Sequence, residues 1–296
     1  MKPAAFAYIA PTSLQDALSL LQEYGDSAKI LAGGQSLVPV LNFRLGRYDH
    51  LIDVNRISEL SYIRFDGAML CIGATTRQRA IEVSSLVASH ARLLSAATQF
   101  VAHLPIRTRG TIGGSLAHAD PAAEYPAIML ALDAELVIAN AAGSRRVKAD
   151  DFFVGPMETI LVSDELLIEI RIPSSREDQG FAFEEISRRK GDFALVGVAA
   201  AVTLNRRTIE TVRLAVCGLE AAASRLTGAE EILRGAAAAD MLQVNAEVLL
   251  KASRAAAESA AAQDDLHATA EYRRHLIETL VQRVIRAAIS DASDNK

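Results

Sequence analysis

Hydrophobic and polar positions along the chain change their rhythm three times. Residues 6–9 read as a short strand. Behind Pro11-Thr12-Ser13, a cluster of helix N-cap candidates, Leu14, Ala17, Leu18 and Leu21 recur at helical spacing, and Gly25 follows as the residue that ends the helix. Residues 29–32 and 50–54 read as two more strands, so residues 1–55 predict a small α/β unit. From Ile63 the pattern shortens. Asp66-Gly67 stands between Tyr62-Ile63-Arg64-Phe65 and Met69-Leu70-Cys71-Ile72-Gly73, which predicts a hairpin. Helical material is predicted to begin at Thr75-Thr76. A helix is expected over residues 86–102, with Leu93, Leu94, Ala97 and Val101 on one side, and another over 124–132. Strands follow at 134–139 and 145–148. Ile168, Ile170 and Ile172 alternate with Glu169 and Arg171, the signature of a half-buried antiparallel strand.

The polar stretch 172–180, with its Pro and Gly, is the clearest boundary and divides the chain into domains 1–175 and 176–296. Beyond it, residues 181–187, 195–204 and 209–216 predict a meander of three strands. The Ala-rich run 236–262 predicts close-packed helix, because Ala is the best helix former. In the last helix Tyr272, Leu276, Leu280, Val284 and Ala288 recur every fourth residue beside Ile277, Val281 and Ile285, a broad buried face.

Composition narrows the class. A chain of 296 residues has room for two domains, and 50% apolar with 23% charged residues is ordinary for a packed protein. Aromatics are 5% and Trp is absent, so the core must rest on Ala, Leu, Val and Ile. A net charge of −5 without a basic stripe argues against a nucleic-acid surface. Cys71 and Cys217 lie far apart inside apparent strands, with no C-x-x-C or Cys/His cluster, so this chain by itself offers no frame for an iron–sulfur cluster or structural zinc. No apolar run reaches membrane-spanning length and no secretory segment opens the chain, which places the protein in the cytoplasm by expectation.

Two glycine pairs carry the candidate chemistry. Ile30-Leu31-Ala32-Gly33-Gly34-Gln35-Ser36-Leu37 has a later echo in Gly110-Thr111-Ile112-Gly113-Gly114-Ser115-Leu116. Glycine permits positive φ and close ligand approach. The amides such a turn exposes form an anion site to which a hydroxyl adds a donor. Two facing turns would suit a diphosphate. Neither is the G-x-G-x-x-G dinucleotide fingerprint. His118-Ala119-Asp120-Pro121 with Glu124 reads either as the polar rim of a ligand site or as a capped helix entry. His118 has no Ser or Cys nucleophile motif beside it, and His103 reads as structural or at a surface. Arg188-Arg189-Lys190-Gly191-Asp192-Phe193 reads either as a solvated turn or as cations near a diphosphate with Phe193 against a flat ring. Asp164-Glu165 is a poor metal pair, because neighbours on a strand face opposite ways.

Three stretches, Ala32-Gly33-Gly34-Gln35-Ser36-Leu37-Val38-Pro39, Thr111-Ile112-Gly113-Gly114-Ser115-Leu116-Ala117-His118-Ala119-Asp120-Pro121 and Arg189-Lys190-Gly191-Asp192-Phe193-Ala194, together resemble the FAD-binding medium subunit of molybdenum hydroxylases, the family of carbon monoxide dehydrogenase and xanthine dehydrogenase. The resemblance covers nearly the whole chain. It implies an α+β fold: an FAD-binding domain of two α/β subdomains, about 1–55 and 56–175, then a C-terminal domain of a three-stranded antiparallel sheet with helices. It implies that residues 30–37 and 111–115 cradle the FAD diphosphate, that Glu124 is an acidic FAD contact, that Leu167 contacts the flavin through its backbone, and that Phe193 stands near the isoalloxazine. Lys190 substitutes for a Lys that some relatives carry nearer the strand start, where this chain has Glu184.

It also implies an FAD-dependent oxidoreductase subunit that works in a complex, passing electrons from [2Fe–2S] clusters of a small partner subunit through FAD to an external acceptor. A large molybdopterin-binding subunit would oxidise the substrate. The complex would be a dimer of heterotrimers, with no catalytic residue and no metal on this chain. Two other readings stand beside this one: a free-standing FAD-dependent oxidoreductase, and a non-enzymatic module that binds an anion or a partner.

Overall fold

The computed structural model describes residues 2–219 and 222–294. Strands Ala7–Ile9, Ala28–Leu31 and His50–Asp53 form a small parallel sheet with His50–Asp53 in the middle. Helix Leu14–Tyr24 covers it. The Ser13 hydroxyl caps that helix by accepting from the Asp16 amide at 3.1 Å, and Gly25 ends it at φ 48°. Ala17, Leu18 and Leu21 pack on Ile52, Val54 and Leu166.

The next sheet is antiparallel, in the order Ile63–Phe65, Met69–Gly73, Leu166–Pro173, Glu135–Asn140, Gly143–Lys148. A bulge between Leu167 and Glu169 breaks the strict alternation of its central strand. Glu169 is thereby turned into the protein at 7% exposure, where Tyr62 (2.5 Å), Arg64 (2.9 Å) and Arg171 (3.1 Å) donate to it.

The helix expected over 86–102 is broken. Helices Ser85–His90 and Arg92–Thr98 meet at Ala91, which has φ −140° and ψ 63°. The cause lies far along the chain. The Ser175 amide (2.8 Å) and hydroxyl (3.1 Å) take the His90 carbonyl that a continuous helix would have used.

The last sheet holds Gln179–Ser187, Ala194–Asn205 and Thr208–Cys217 in antiparallel register, with a two-residue strand, Ser224–Arg225, added at its edge. Alternate residues serve two cores. Val196, Val198, Ala200 and Val202 pack against helices Glu247–Ser259 and Ala270–Asp294. Phe183, Ala199, Ala215 and Cys217 face the other way and join the core around helix Glu124–Ala131, every residue of which is buried. The Ala-rich run is divided too. Helix Ala238–Met241 stands apart from Glu247–Ser259 because residues 235–238 are pinned to a hairpin, with the Ile209 amide on the Ala236 carbonyl (2.9 Å) and the Ala238 amide on the Arg207 carbonyl (2.8 Å). Both cysteines are buried and free.

Candidate functional site

A cleft of about 700 Å³ lies between the parallel sheet, the start of helix Glu124–Ala131 and the turn at 188–193. Its volume is within the roughly 300–1,000 Å³ range of small-molecule sites. Both glycine pairs reach it.

The first loop contributes Ile30, Ala32, Gly33, Gly34, Gln35, Ser36 and Leu37 to the lining. Gly34 takes φ 73°, and the Gln35 side chain folds back to donate to the Gly33 carbonyl at 3.0 Å. Among the described residues the amides of Gly34, Gln35 and Ser36 donate to no protein acceptor. This loop is an open row of donors of the kind that binds an anion. Leu31 is in the strand behind and does not reach the cleft.

The second pair has another structure. Thr111, Gly113, Gly114 and Ser115 line the cleft, but Gly113-Gly114 is the first turn of helix Ile112–His118 and not a bare turn. Its amides are already committed: Ile112 to the Thr76 carbonyl (3.1 Å), Gly113 to the Ala74 carbonyl (2.9 Å), Gly114 to the Thr111 hydroxyl (3.1 Å) and Ser115 to the Thr111 carbonyl (3.1 Å). What the helix offers a ligand is the Ser115 side chain and the bare backbone of Gly114 on the cleft wall. The glycine at 113 serves packing, since a Cβ there would lie 2.5 Å from the Ala74 Cβ. Ile112 is wholly buried beneath and lies off the cleft.

The loops are joined directly. A Cβ on Gly33 would come within 2.7 Å of the Gly110 Cα. Arg77 bridges the same gap, donating to the Asn55 amide oxygen at 2.7 Å and to the Arg109 carbonyl. Asn55 in turn donates to the Ala32 carbonyl at 2.7 Å.

On the far wall, Glu124 opens its helix at 6% exposure. Burial pushes its carboxyl up to about 7, aided by the charge of Asp120. Burial also lowers His118, which Asp120 partly offsets. Leu167 lines the floor. In the turn at 188–193, Gly191 at φ 89° lies flat against the His103 ring, where a Cβ would be 2.3 Å from Cε1. That contact carries Phe193 to the cleft mouth, 65% exposed, while Lys190 is not on the lining. Glu165 is held by Arg145 at 2.7 and 2.8 Å.

Sequence reasoning missed Lys29, Tyr48 and Gln78. Lys29, the cation on the lining, lies just before the first motif, and its ammonium stands 5.7 Å from the Tyr48 ring centroid. Gln78 had no signal at all: its Oε1 is buried without a partner beside Gly110. No helix among the described residues is long and apolar enough to cross a membrane.

Comparison with known proteins agrees with this architecture. Residues 4–175 match the FAD binding domain in molybdopterin dehydrogenase, and residues 181–288 match the CO dehydrogenase flavoprotein C-terminal domain. The chain is 38% identical over 297 residues to subunit alpha of the 6-hydroxypseudooxynicotine dehydrogenase complex of Paenarthrobacter nicotinovorans, covering 100% of this chain and 98% of the relative. It is 40% identical to the caffeine dehydrogenase subunit beta of Pseudomonas sp. strain CBB1, covering 97% and 96%. A chain of the carbon monoxide dehydrogenase structure from Hydrogenophaga pseudoflava superposes with a TM-score of 0.94 at 36% identity, over 98% of this chain and 99% of that one.

Proposed function

The chain belongs to the FAD-binding medium subunits of molybdenum hydroxylases, and from that membership we propose how its own residues serve the cofactor. It is the FAD-dependent subunit of a multi-subunit oxidoreductase whose molybdenum and iron–sulfur centres lie on other subunits. Bound FAD supplies the exchange between one-electron donors and a two-electron acceptor, and the protein supplies binding, orientation and electrostatics.

The observation that carries the assignment of residues is the row of uncommitted amides at Gly34, Gln35 and Ser36 on the wall of a cleft. Those amides fit a diphosphate. Ala32 and Gly33 keep the wall low enough for it to approach, and Ile30 and Leu37 flank it with apolar surface. From the opposite side Thr111, Gly113 and Gly114 hold the helix turn against the cleft, and Ser115 adds a hydroxyl. Leu31 and Ile112 act from behind, as packing. Glu124 accepts from or donates to the cofactor's hydroxyls or ring edge, Leu167 offers backbone at the floor, and Phe193 covers a flat ring from the mouth. Lys190 contributes charge at a distance only.

The division into domains 1–175 and 176–296 is supported by the ends of the two matched regions. As partners we assign a large molybdopterin-binding subunit and a small [2Fe–2S] subunit, arranged as a dimer of heterotrimers in the cytoplasm. The full chain, purified and mixed with FAD, should retain one flavin per chain through gel filtration and show flavin absorption bands. A colourless protein indifferent to added FAD would overturn the proposal.

A further inference from the structure

Three strands of the last sheet place Glu185, Gly197 and Cys217 side by side in register. The row lies on the same face as Phe183, Ala199 and Ala215, the face that joins the core beneath the cleft. Gly197 leaves the row open: a Cβ there would be 2.8 Å from the Cys217 sulfur and 3.4 Å from the Glu185 Cβ. The Gly218 amide donates to the Pro121 carbonyl at 2.8 Å, which seats the start of helix Glu124–Ala131 on this row. Glu124 therefore stands between the row and the cleft that it lines. Its carboxyl makes no hydrogen bond to another residue among those described, and Glu185 Oε2 is buried with no partner.

Acidic groups lie nearest the pair; Lys29 and His118 line the same cleft beside Asp120, and the buried Arg273 donates to the Gly218 carbonyl behind the row. Asp120 faces Glu124, Glu124 faces Glu185, and the Cys217 thiol feels all three. On the helices packed against the Glu185 strand, Arg92 is engaged at Asp291 (3.1 Å), Arg283 at Glu184 (2.5 Å), Arg273 at Asp265 (2.5 Å) and Arg286 at the Met241 carbonyl (3.2 Å); Arg274 and His275 belong to the last of these helices too.

We propose that Glu124 and Glu185 form a carboxyl pair that keeps a proton at neutral pH, with Glu185 as the positioning residue that lets Glu124 meet the bound cofactor as a hydrogen-bond donor. Two carboxylates withdrawn from water, with no cation bonded to either among the described residues, do not both ionise at neutral pH, and the pair titrates as a unit. Burial sets Glu185 at about 8, with the Glu124 charge adding to it, and Glu124 at about 7. Raising the pH through this window adds negative charge beside an anionic dinucleotide and removes a donor. Cofactor binding then weakens.

This inference rests on the FAD reading of the cleft, and the test separates the two. FAD is titrated into the apoprotein of the full chain from about pH 6 to about pH 9, with flavin fluorescence as the readout. The dissociation constant should rise roughly tenfold across that range, the equivalent of one pKa unit of coupling. In Glu185→Gln, which is neutral at every pH, the rise should shrink to within about threefold. Infrared spectra of the wild-type apoprotein need no variant: a protonated-carboxyl carbonyl band should be present at the low-pH end and gone at the high-pH end. A wild-type affinity that is flat with pH, an unchanged slope in Glu185→Gln, or no such infrared band overturns the carboxyl pair while leaving the FAD site standing. No binding at the low-pH end overturns both.

Discussion

Gly33 and Arg109 touch through bare backbone: a Cβ on Gly33 would lie 2.6 Å from the Arg109 carbonyl oxygen, closer than real Cβ atoms approach. The spacing of the two cleft loops is thus set by the missing side chain at position 33. Neither partner in the contact is a flexible side-chain end that could swing aside. Gly33→Ala must push the loops apart. It should destabilise the protein by about 1–3 kcal/mol, the usual cost of overpacking. Flavin content on purification should fall with it. Denaturant unfolding and the flavin-to-protein absorbance ratio check both, and a variant with wild-type values in each would show that the contact does not set the spacing.

Arg77 makes a second, polar tie across the same gap. Arg77→Met removes its bonds to Asn55 and to the Arg109 carbonyl. Hydrogen bonds from a charged donor are worth about 1.5–3 kcal/mol each. We expect weaker FAD binding in Arg77→Met and also in Arg77→Lys, since a point-like ammonium cannot span two acceptors as the planar guanidinium does. Titration of the apo-variants with FAD gives the comparison. An Arg77→Lys protein with wild-type affinity would mean that charge alone suffices.

Thr111 caps the helix that carries the second glycine pair, its hydroxyl accepting from the Gly114 amide at 3.1 Å. Thr111→Val keeps the shape and removes the acceptor. It should cost about 1 kcal/mol, the typical value of an N-cap, while Thr111→Ser should cost only a fraction of that. Equal midpoints for the two variants in urea unfolding would show that the cap bond contributes nothing.

The apoprotein should lose stability as the pH rises from acid toward alkaline values. Glu124 and Glu185 start from an ordinary value of 4.5 and are raised to about 7 and about 8 in the fold. Between those values the folded state holds more protons than the unfolded state, so stability falls with rising pH. Their contribution is whole below about 4.5 and is lost as the pH passes the raised values. Carboxylates with cationic or amide partners act in the opposite sense. Hydrogen bonds from the Met69 and Ala68 amides lower Asp66 to about 2, so its contribution is present above about 3.8 and lost toward about 2. A thermal-unfolding series should therefore show a maximum on the acid side of neutrality. Glu185→Gln should raise the midpoint at the alkaline end by a few degrees and leave the acid end unchanged; parallel curves would refute the assignment.

Much of the fold was readable from short stretches. The capped first helix, the hairpin at Asp66-Gly67, the antiparallel meander after residue 180 and the long final helix all depend on a few neighbouring residues, whose spacing and turn chemistry survive any context. The cleft was legible in part. Gly33, Gly34, Gln35 and Ser36 announce themselves as a turn, and family likeness drew Glu124 and Phe193 to the same place. Leu31, Ile112 and Lys190 belong to the same motifs by position along the chain and yet do not line the cavity.

Local chemistry, then, specifies where strands, caps and glycines stand, because those preferences act over a turn or two of backbone. Folding had to supply the rest. Ser175 takes a carbonyl from His90 and ends a helix that its own residues would have continued. Thr76 and Ala74 claim the amides that would have made the second glycine pair a mirror of the first. The Glu185 carboxyl loses its water only because Gly197, on the strand between it and Cys217, leaves room for it behind Glu124. Desolvation and long-range hydrogen bonds do not exist in an extended chain, so no reading of neighbours could have assigned them.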